Sequence, residues 1–205
     1  MAMRETDFQQ EYTDPLTDDR DDDTLYAAFL AGDRQAFDTL MLKDSDELTI
    51  FLKGFLYSWH DAEDMMVEAF AKILVYKPRI GAGNFKAYLY KTARHLIARF
   101  YGKEKRRKTF SLEEYGEELG EEPGYDARIE ENLLKDENKR LLHKCLERLD
   151  PAMREALWLF YFDEMTYEQV AQVMNVSRKK VDNLLSRGRK CLKEELGKEG
   201  ITDAC

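Results

Sequence analysis

The chain has 205 residues, 43% of them apolar, and its 32 basic and 41 acidic side chains give a formal net charge of −9. That length holds one domain or two small ones. No apolar run reaches a membrane span and the polar start MAMRETDFQQEY is unlike a signal peptide. The three scattered cysteines, Cys145, Cys191 and Cys205, with no Cys-x-x-Cys pair, exclude a disulfide framework. A soluble, cytoplasmic, all-helical protein is expected, since strong helix formers dominate and only four prolines appear.

Residues 1–23 hold nine acids and two bases, a balance of −7 with little apolar content, and read as a disordered acidic arm. Thr24 suits a helix N-cap, Gly32 ends that helix after Ala31, and Asp33 caps the next. Leu48, Phe51, Leu52, Phe55 and Leu56 repeat at three and four, the stripe of an amphipathic helix. In DAEDMMVEAFAKIL, Asp61 is read as a cap, with Asp64 completing an arrangement like a capping box. Ala62, Met66, Ala69, Phe70 and Ile73 form the expected buried stripe. Asp61, Asp64, Met65, Glu68 and Lys72 fall on the far side, an acidic face with one exposed Met. Such a face suits docking of a basic partner, and equally an ordinary solvated helix.

Asn84 starts a long helix expected to run to about Tyr101. Its inner positions are Phe85, Leu89, Ala93, Leu96 and Phe100. Tyr88, Lys91, Arg94, His95 and Arg99 remain outside, with Tyr90 and Tyr101 on the flank. Between Lys86 and Lys108 nine bases meet one acid, a balance of +8. Rings interleaved with cations are what unpaired nucleic acid requires, because rings stack on bases while cations hold phosphate. Residues 109–128, acidic and broken by Gly and Pro, read as a linker. Glu113 to Asp126 alone carries a balance of −7.

A second helical unit follows. One helix is expected near Ile129 to Arg148, and Asp150-Pro151 supplies the N-cap and first residue of the next. Thr166 caps a short helix, Tyr167 to Met174, with Val170, Ala171 and Met174 inward. Asn175 tolerates the left-handed turn that must end it, and Ser177 caps another helix about three residues later. That is helix-turn-helix spacing, with small Ala171 expected where the helices cross. In the last helix Val181, Leu184, Leu185, Gly188 and Leu192 share one face. Lys179, Asn183, Ser186, Arg187 and Lys190 share the opposite one, flanked by Arg178 and Lys180. Bases, an amide and a hydroxyl on one face are equipped for phosphates and base edges in a major groove. Arg178 to Lys193 has a balance of +6. Either acidic segment is able to fold over a basic block and screen it from phosphate.

Two ordered motif blocks resemble a known family. DAEDMMVEAFAKI with NFKAYLYKTARHLIARFY is similar to domain two of bacterial sigma factors. LDPAMREALWLFYFDEMTYEQVAQVMNVSRKKVDNLLSRGRKCL is similar to their domain four. The short linker points to the extracytoplasmic-function (ECF) branch of the sigma-70 family. The resemblance implies an arm (1–23), domain two (24–108), a linker (109–128), domain four (129–196) and a tail (197–205). It implies that Asp61, Asp64, Met65, Glu68 and Lys72 dock on the clamp helices of the polymerase β′ subunit. Tyr88, Lys91, Arg94, His95 and Arg99 would read and melt the minus-10 element. Arg178, Lys179, Lys180, Asn183, Ser186, Arg187 and Lys190 would read the minus-35 duplex. Implied partners are core RNA polymerase (β′ clamp helices and β flap), promoter DNA and an anti-sigma factor, with no cofactor and no catalysis. Glu68-Ala69, His95 and Arg99 depart from the common family pattern, so the minus-10 preference is not carried over.

Two other classes fit parts of the pattern. A stand-alone helix-turn-helix regulator would bind duplex DNA unaided, but leaves the acidic face and the first basic block unused. A metal enzyme would need Asp61, Asp64 and Glu68 as ligands, yet Lys72 adjoins them. His60, His95 and His143 show no metal-ligand spacing.

Overall fold

The computed structural model describes residues 18–110 and 137–199, and every regular element among them is an α-helix. Local capping chemistry sets most of the ends. Asp21, rather than Thr24, caps α1 (Asp22–Leu30), its carboxylate accepting from the Thr24 amide at 2.7 Å. Gly32, at φ +113°, turns the chain out of that helix where a side chain would be strained. Asp33 caps α2 (Arg34–Lys53), accepting from the Ala36 amide at 3.2 Å. Ser58, not Asp61, caps α3 (Trp59–Tyr76). The helix therefore starts nearly a turn earlier than expected, because Trp59 packs into the core and belongs to it. Lys77, at φ 42°, closes α3, and α4 (Phe85–Phe110) follows the turn at Asn84.

The second unit comprises α5 (Glu137–Glu147), α6 (Pro151–Tyr161), α7 (Tyr167–Met174) and α8 (Arg178–Lys198). Asp150 caps α6 with Pro151 in its first turn, as the Asp-Pro pair predicts. Cys145 is buried and Cys191 half-buried, both as free thiols.

Burial explains why the helices assemble. In the first unit Phe37, Phe51, Phe70, Phe85, Leu40 and Leu89 fill the space between α1–α4, with ring pairs such as Phe37–Phe70 edge to face at 6.1 Å. In the second, Leu146, Leu157, Val170, Val181 and Leu185 are buried between α5–α8. The two cores join into one cluster, because α7 packs against α4. Tyr90, expected on the helix flank, is instead fully buried, and its hydroxyl donates to Asp163 Oδ1 at 2.6 Å.

The end of the acidic arm is ordered. Arg20 pairs with Asp18 at 2.6 Å and Asp33 at 3.6 Å, and Lys43 reaches Asp22 at 2.8 Å. Helix α4 runs through Phe110, so it enters the stretch read as a linker. The arm before Asp18, the rest of the linker, the start of the helix expected near Ile129 and the tail beyond Glu199 lie outside the described residues.

Candidate nucleic-acid interface

The helix-turn-helix is built by three local devices. Thr166 and Gln169 form a reciprocal capping box: the Thr166 hydroxyl accepts from the Gln169 amide at 3.3 Å, and the Thr166 amide donates to Gln169 Oε1 at 2.7 Å. Asn175 takes the left-handed conformation (φ 54°, ψ 49°) that ends α7. Ser177 then caps α8, accepting from the Lys180 amide at 3.3 Å. Val181, Leu184, Leu185 and Gly188 are buried, and Leu192 is half-buried against the same core. Gly188 lies close against α6, where a Cβ would stand 3.0 Å from Leu157 Cδ1, and Ala171 is half-buried against the core.

Arg178, Lys179, Lys180, Asn183, Ser186, Arg187 and Lys190 are all exposed. Arg178 is turned towards α7, 3.1 Å from Glu168 and over the Tyr167 ring. The others leave a basic, hydrogen-bonding surface on α8.

The five residues singled out on α4 divide between faces. Tyr88, His95 and Arg99 join Lys72 and Tyr76 of α3 around a groove of about 320 Å³. Two tyrosine rings, an imidazole and two cationic side chains, Lys72 and Arg99, around such a volume suit an unstacked base and its phosphate. Lys91 is half-buried beside that face. Arg94 belongs to the opposite side, with Lys86 and Tyr90, where its Nε donates to Glu155 Oε1 at 2.6 Å. Burial pushes the Glu155 carboxyl up, and Arg94 counteracts it. Tyr76, 75% exposed, was missed in the sequence. Its signal is the four-residue spacing from Lys72 at the end of α3, immediately before the KPRIGAG loop.

On α3 the acidic face is present in altered form. Asp61 is half-exposed and Asp64 exposed, the latter 3.7 Å from His60. Glu68 accepts from Arg99 and lies 3.5 Å from Lys72. Burial opposes its charge, but these two cations hold the Glu68 carboxyl below its usual range. Met65 corrects the sequence reading: it is 7% exposed, inside the core, while Met66 is half-buried. Ala62, Met65, Ala69 and Ile73 repeat at three and four as well as the expected stripe does, and packing against both α2 and α4 widens the buried arc. The exposed apolar side chains of α3 include Val67 at 51%, Leu74 at 44% and Val75 at 72%.

Among the described residues, no group of three or more His, Cys, Asp or Glu side chains could hold a metal, and no helix is long and apolar enough to cross a membrane. The sigma-70 region 2 family matches residues 43–107, and the sigma-70, region 4 family matches residues 139–192, in that order. The chain belongs to the sigma-70 family. It is an ECF sigma factor, a regulatory protein that binds core RNA polymerase and directs promoter-specific initiation.

Relatives agree over most of their length. This sigma factor is 28% identical over 187 residues to RNA polymerase sigma-H factor of Pseudomonas aeruginosa, covering 85% of the chain and 93% of the relative. It is 26% identical over 156 residues to ECF RNA polymerase sigma factor SigM of Bacillus subtilis, covering 75% and 90%. Its fold is similar to CnrH, solved with the cytosolic domain of CnrY, at a TM-score of 0.60 and 20% identity over 86% of this chain and 97% of that one. It is likewise similar to RpoE of Bartonella quintana, solved with the anti-sigma factor NepR, at 0.60 and 22% over 78% and 96%. The region 4 match contains α7 and α8 as far as Leu192, and the region 2 match contains α3 and the groove.

Proposed function

We propose a division of labour within this sigma factor. The α3 face around Asp61, Asp64, Glu68 and Lys72 docks on the polymerase clamp. The groove bounded by Tyr76, Tyr88, His95 and Arg99 takes minus-10 bases as they unstack. The exposed face of α8, Lys179 to Lys190, reads the minus-35 duplex. The observation that carries this reading is the sidedness of α8, with its apolar residues buried and its bases, amide and hydroxyl together in solvent. Unstacking costs a few kcal/mol per step, so polymerase contacts share the work of opening.

The protein acts without catalysis, in the cytoplasm. An anti-sigma factor is its expected regulator, since RpoE of Bartonella quintana is similar in fold and is solved with one. Run-off transcription with core polymerase on a genomic library tests the reading. Discrete promoter-dependent transcripts that disappear with Lys179→Ala plus Arg187→Ala are expected, and transcripts unaffected by that change would overturn the role of α8.

A further inference from the structure

Rings from two helices bound the groove. Tyr76 stands on the last turn of α3 and Tyr88 on the first turn of α4. Residues 77–84 join them, and their backbone is irregular. Lys77 leaves α3 in the left-handed region at φ 42°, and Gly83 sits at φ +74° just before α4. A segment of this kind has no regular hydrogen-bond ladder, so its position is set by what holds its ends.

Helix α1 holds them. Tyr26 is 4% exposed, and its hydroxyl donates to the Pro78 carbonyl at 2.6 Å. A buried tyrosine needs such a partner for its hydroxyl. The Tyr26 ring lies 5.1 Å from that of Phe85, the first residue of α4. Lys77 Nζ stands 4.8 Å from the centre of the Phe29 ring. At the other end, Asp23 Oδ1 accepts from the Asn84 amide at 3.3 Å. Between these contacts Arg79, Gly81, Ala82 and Gly83 are exposed.

Asp21, Asp22 and Asp23 form one acidic run, yet each has a different partner: the Thr24 amide, Lys43 and the Asn84 amide. Nothing in the run itself distinguishes them. The contact to Asn84, 61 positions away, singles out Asp23.

We infer that Asp23 and Tyr26 are positioning residues for strand opening, fixing both ends of residues 77–84 and so holding Tyr76 at a set distance from Tyr88. This use of the clamp rests on the groove reading given above; the clamp itself does not. Neither residue lines the groove, so each acts through the segment it holds. A binding site needs its side chains kept within about 0.5 Å of the productive geometry, and supporting contacts behind the site do this. The two glycines of the segment make such support more necessary, since they leave the backbone free to drift.

The test uses the full chain, alone for hydrogen exchange and with core polymerase for strand opening. Tyr26→Phe keeps the ring against Phe85 and removes the donor to Pro78. Asp23→Ala removes the acceptor, whereas Asp23→Asn keeps an accepting oxygen and removes the charge. Amides in residues 77–84 are expected to exchange roughly five-fold faster in Tyr26→Phe and Asp23→Ala, as the loss of about one hydrogen bond implies. Amides of α2 should be unchanged. Permanganate reactivity followed over time should show the promoter opening several-fold more slowly in both variants, at undiminished polymerase affinity and duplex binding. Asp23→Asn should open at close to the wild-type rate.

Faster exchange throughout α2 as well would make both residues ordinary stabilisers and overturn the positioning role. Wild-type opening by Tyr26→Phe and Asp23→Ala, with Tyr88→Ala slow, would overturn it too. Slow opening by Asp23→Asn would trace the effect to charge and remove Asp23 from the clamp. If Tyr88→Ala opens at the wild-type rate, the groove reading falls instead, and exchange decides the clamp: unchanged exchange over residues 77–84 in both variants overturns it.

Discussion

Glu68 of α3 accepts a hydrogen bond from Arg99 of α4, so the acidic face of α3 and the groove share an ion pair. Both side chains are about half exposed, and such surface pairs contribute on the order of 0–1 kcal/mol. Asp64, at 71% side-chain exposure, carries no comparable tie to α4. Asp64→Lys should lower affinity for core polymerase while leaving the thermal midpoint unchanged. Glu68→Lys should lower affinity too, and also free Arg99 and cost about 0.5–1 kcal/mol of stability. Fluorescence anisotropy with labelled core polymerase, alongside circular dichroism melts, checks both. Undiminished affinity in both variants would return this face to an ordinary solvated role.

The two surfaces proposed to meet DNA should separate by assay. Lys179→Ala and Arg187→Ala are expected to weaken duplex binding and each to reduce the salt slope by about 1 if it contacts phosphate. Tyr88→Ala and His95→Ala should leave duplex binding intact but impair strand opening, and Tyr76→Ala should behave like them because it lines the same groove. Permanganate footprinting on a duplex promoter and on a pre-melted bubble distinguishes the steps. Normal opening in the Tyr88 and His95 variants would show that the groove is not where bases are captured.

What the sequence disclosed follows range. Both ends of α7 and the start of α8 were legible because Thr166, Asn175 and Ser177 act on the backbone close by. The basic face of α8 was legible because one helix period determines it. Met65 was misplaced because two overlapping stripes on α3 satisfy the same period, and only packing by α2 and α4 together selects between them. Tyr90 was read as a flank residue because its partner Asp163 lies 73 positions away, and no local pattern signals a contact of that separation. For the same reason Arg94 was grouped with the groove residues, although Glu155 of the second unit holds it on the opposite face.

Gly188 supplies the close contact that seats α8. A Cβ placed there would stand 3.0 Å from Leu157 Cδ1 and 3.4 Å from Met153 Cβ of α6. Leu157 is 1% exposed and has little room to move. Gly188→Val should therefore destabilise the second unit by about 1–3 kcal/mol, the usual cost of overpacking. The exposed Gly197, whose Cβ would meet nothing within 4 Å, is the control, and Gly197→Ala should stabilise its helix by up to about 1 kcal/mol. Chemical denaturation followed by helicity reads both signs, and equal effects at the two glycines would discount the crossing.

Asp44 of α2 gives the first unit its own pH dependence. It is 2% exposed, its Oδ2 has no hydrogen-bond partner, and the charges around it are Asp22, Lys43, Glu47 and Lys86. Burial, with repulsion from Asp22, raises its carboxyl from the usual 3.8 to about 7, against the pull of Lys86 and Lys43. Between those values the folded protein binds a proton that the unfolded chain has lost, so this group's contribution to stability falls as pH rises through the window. Above about 7 an ionised Asp44 remains buried at full cost, with an upper bound of about 4 kcal/mol. Asp44→Asn removes the charge and nearly preserves the shape. It should match the wild type in stability near pH 4 and exceed it increasingly up to about pH 7, with a constant advantage beyond. Denaturation curves of both chains across that range provide the measurement, and a difference that does not change with pH would mean that Asp44 is charged in the folded protein throughout.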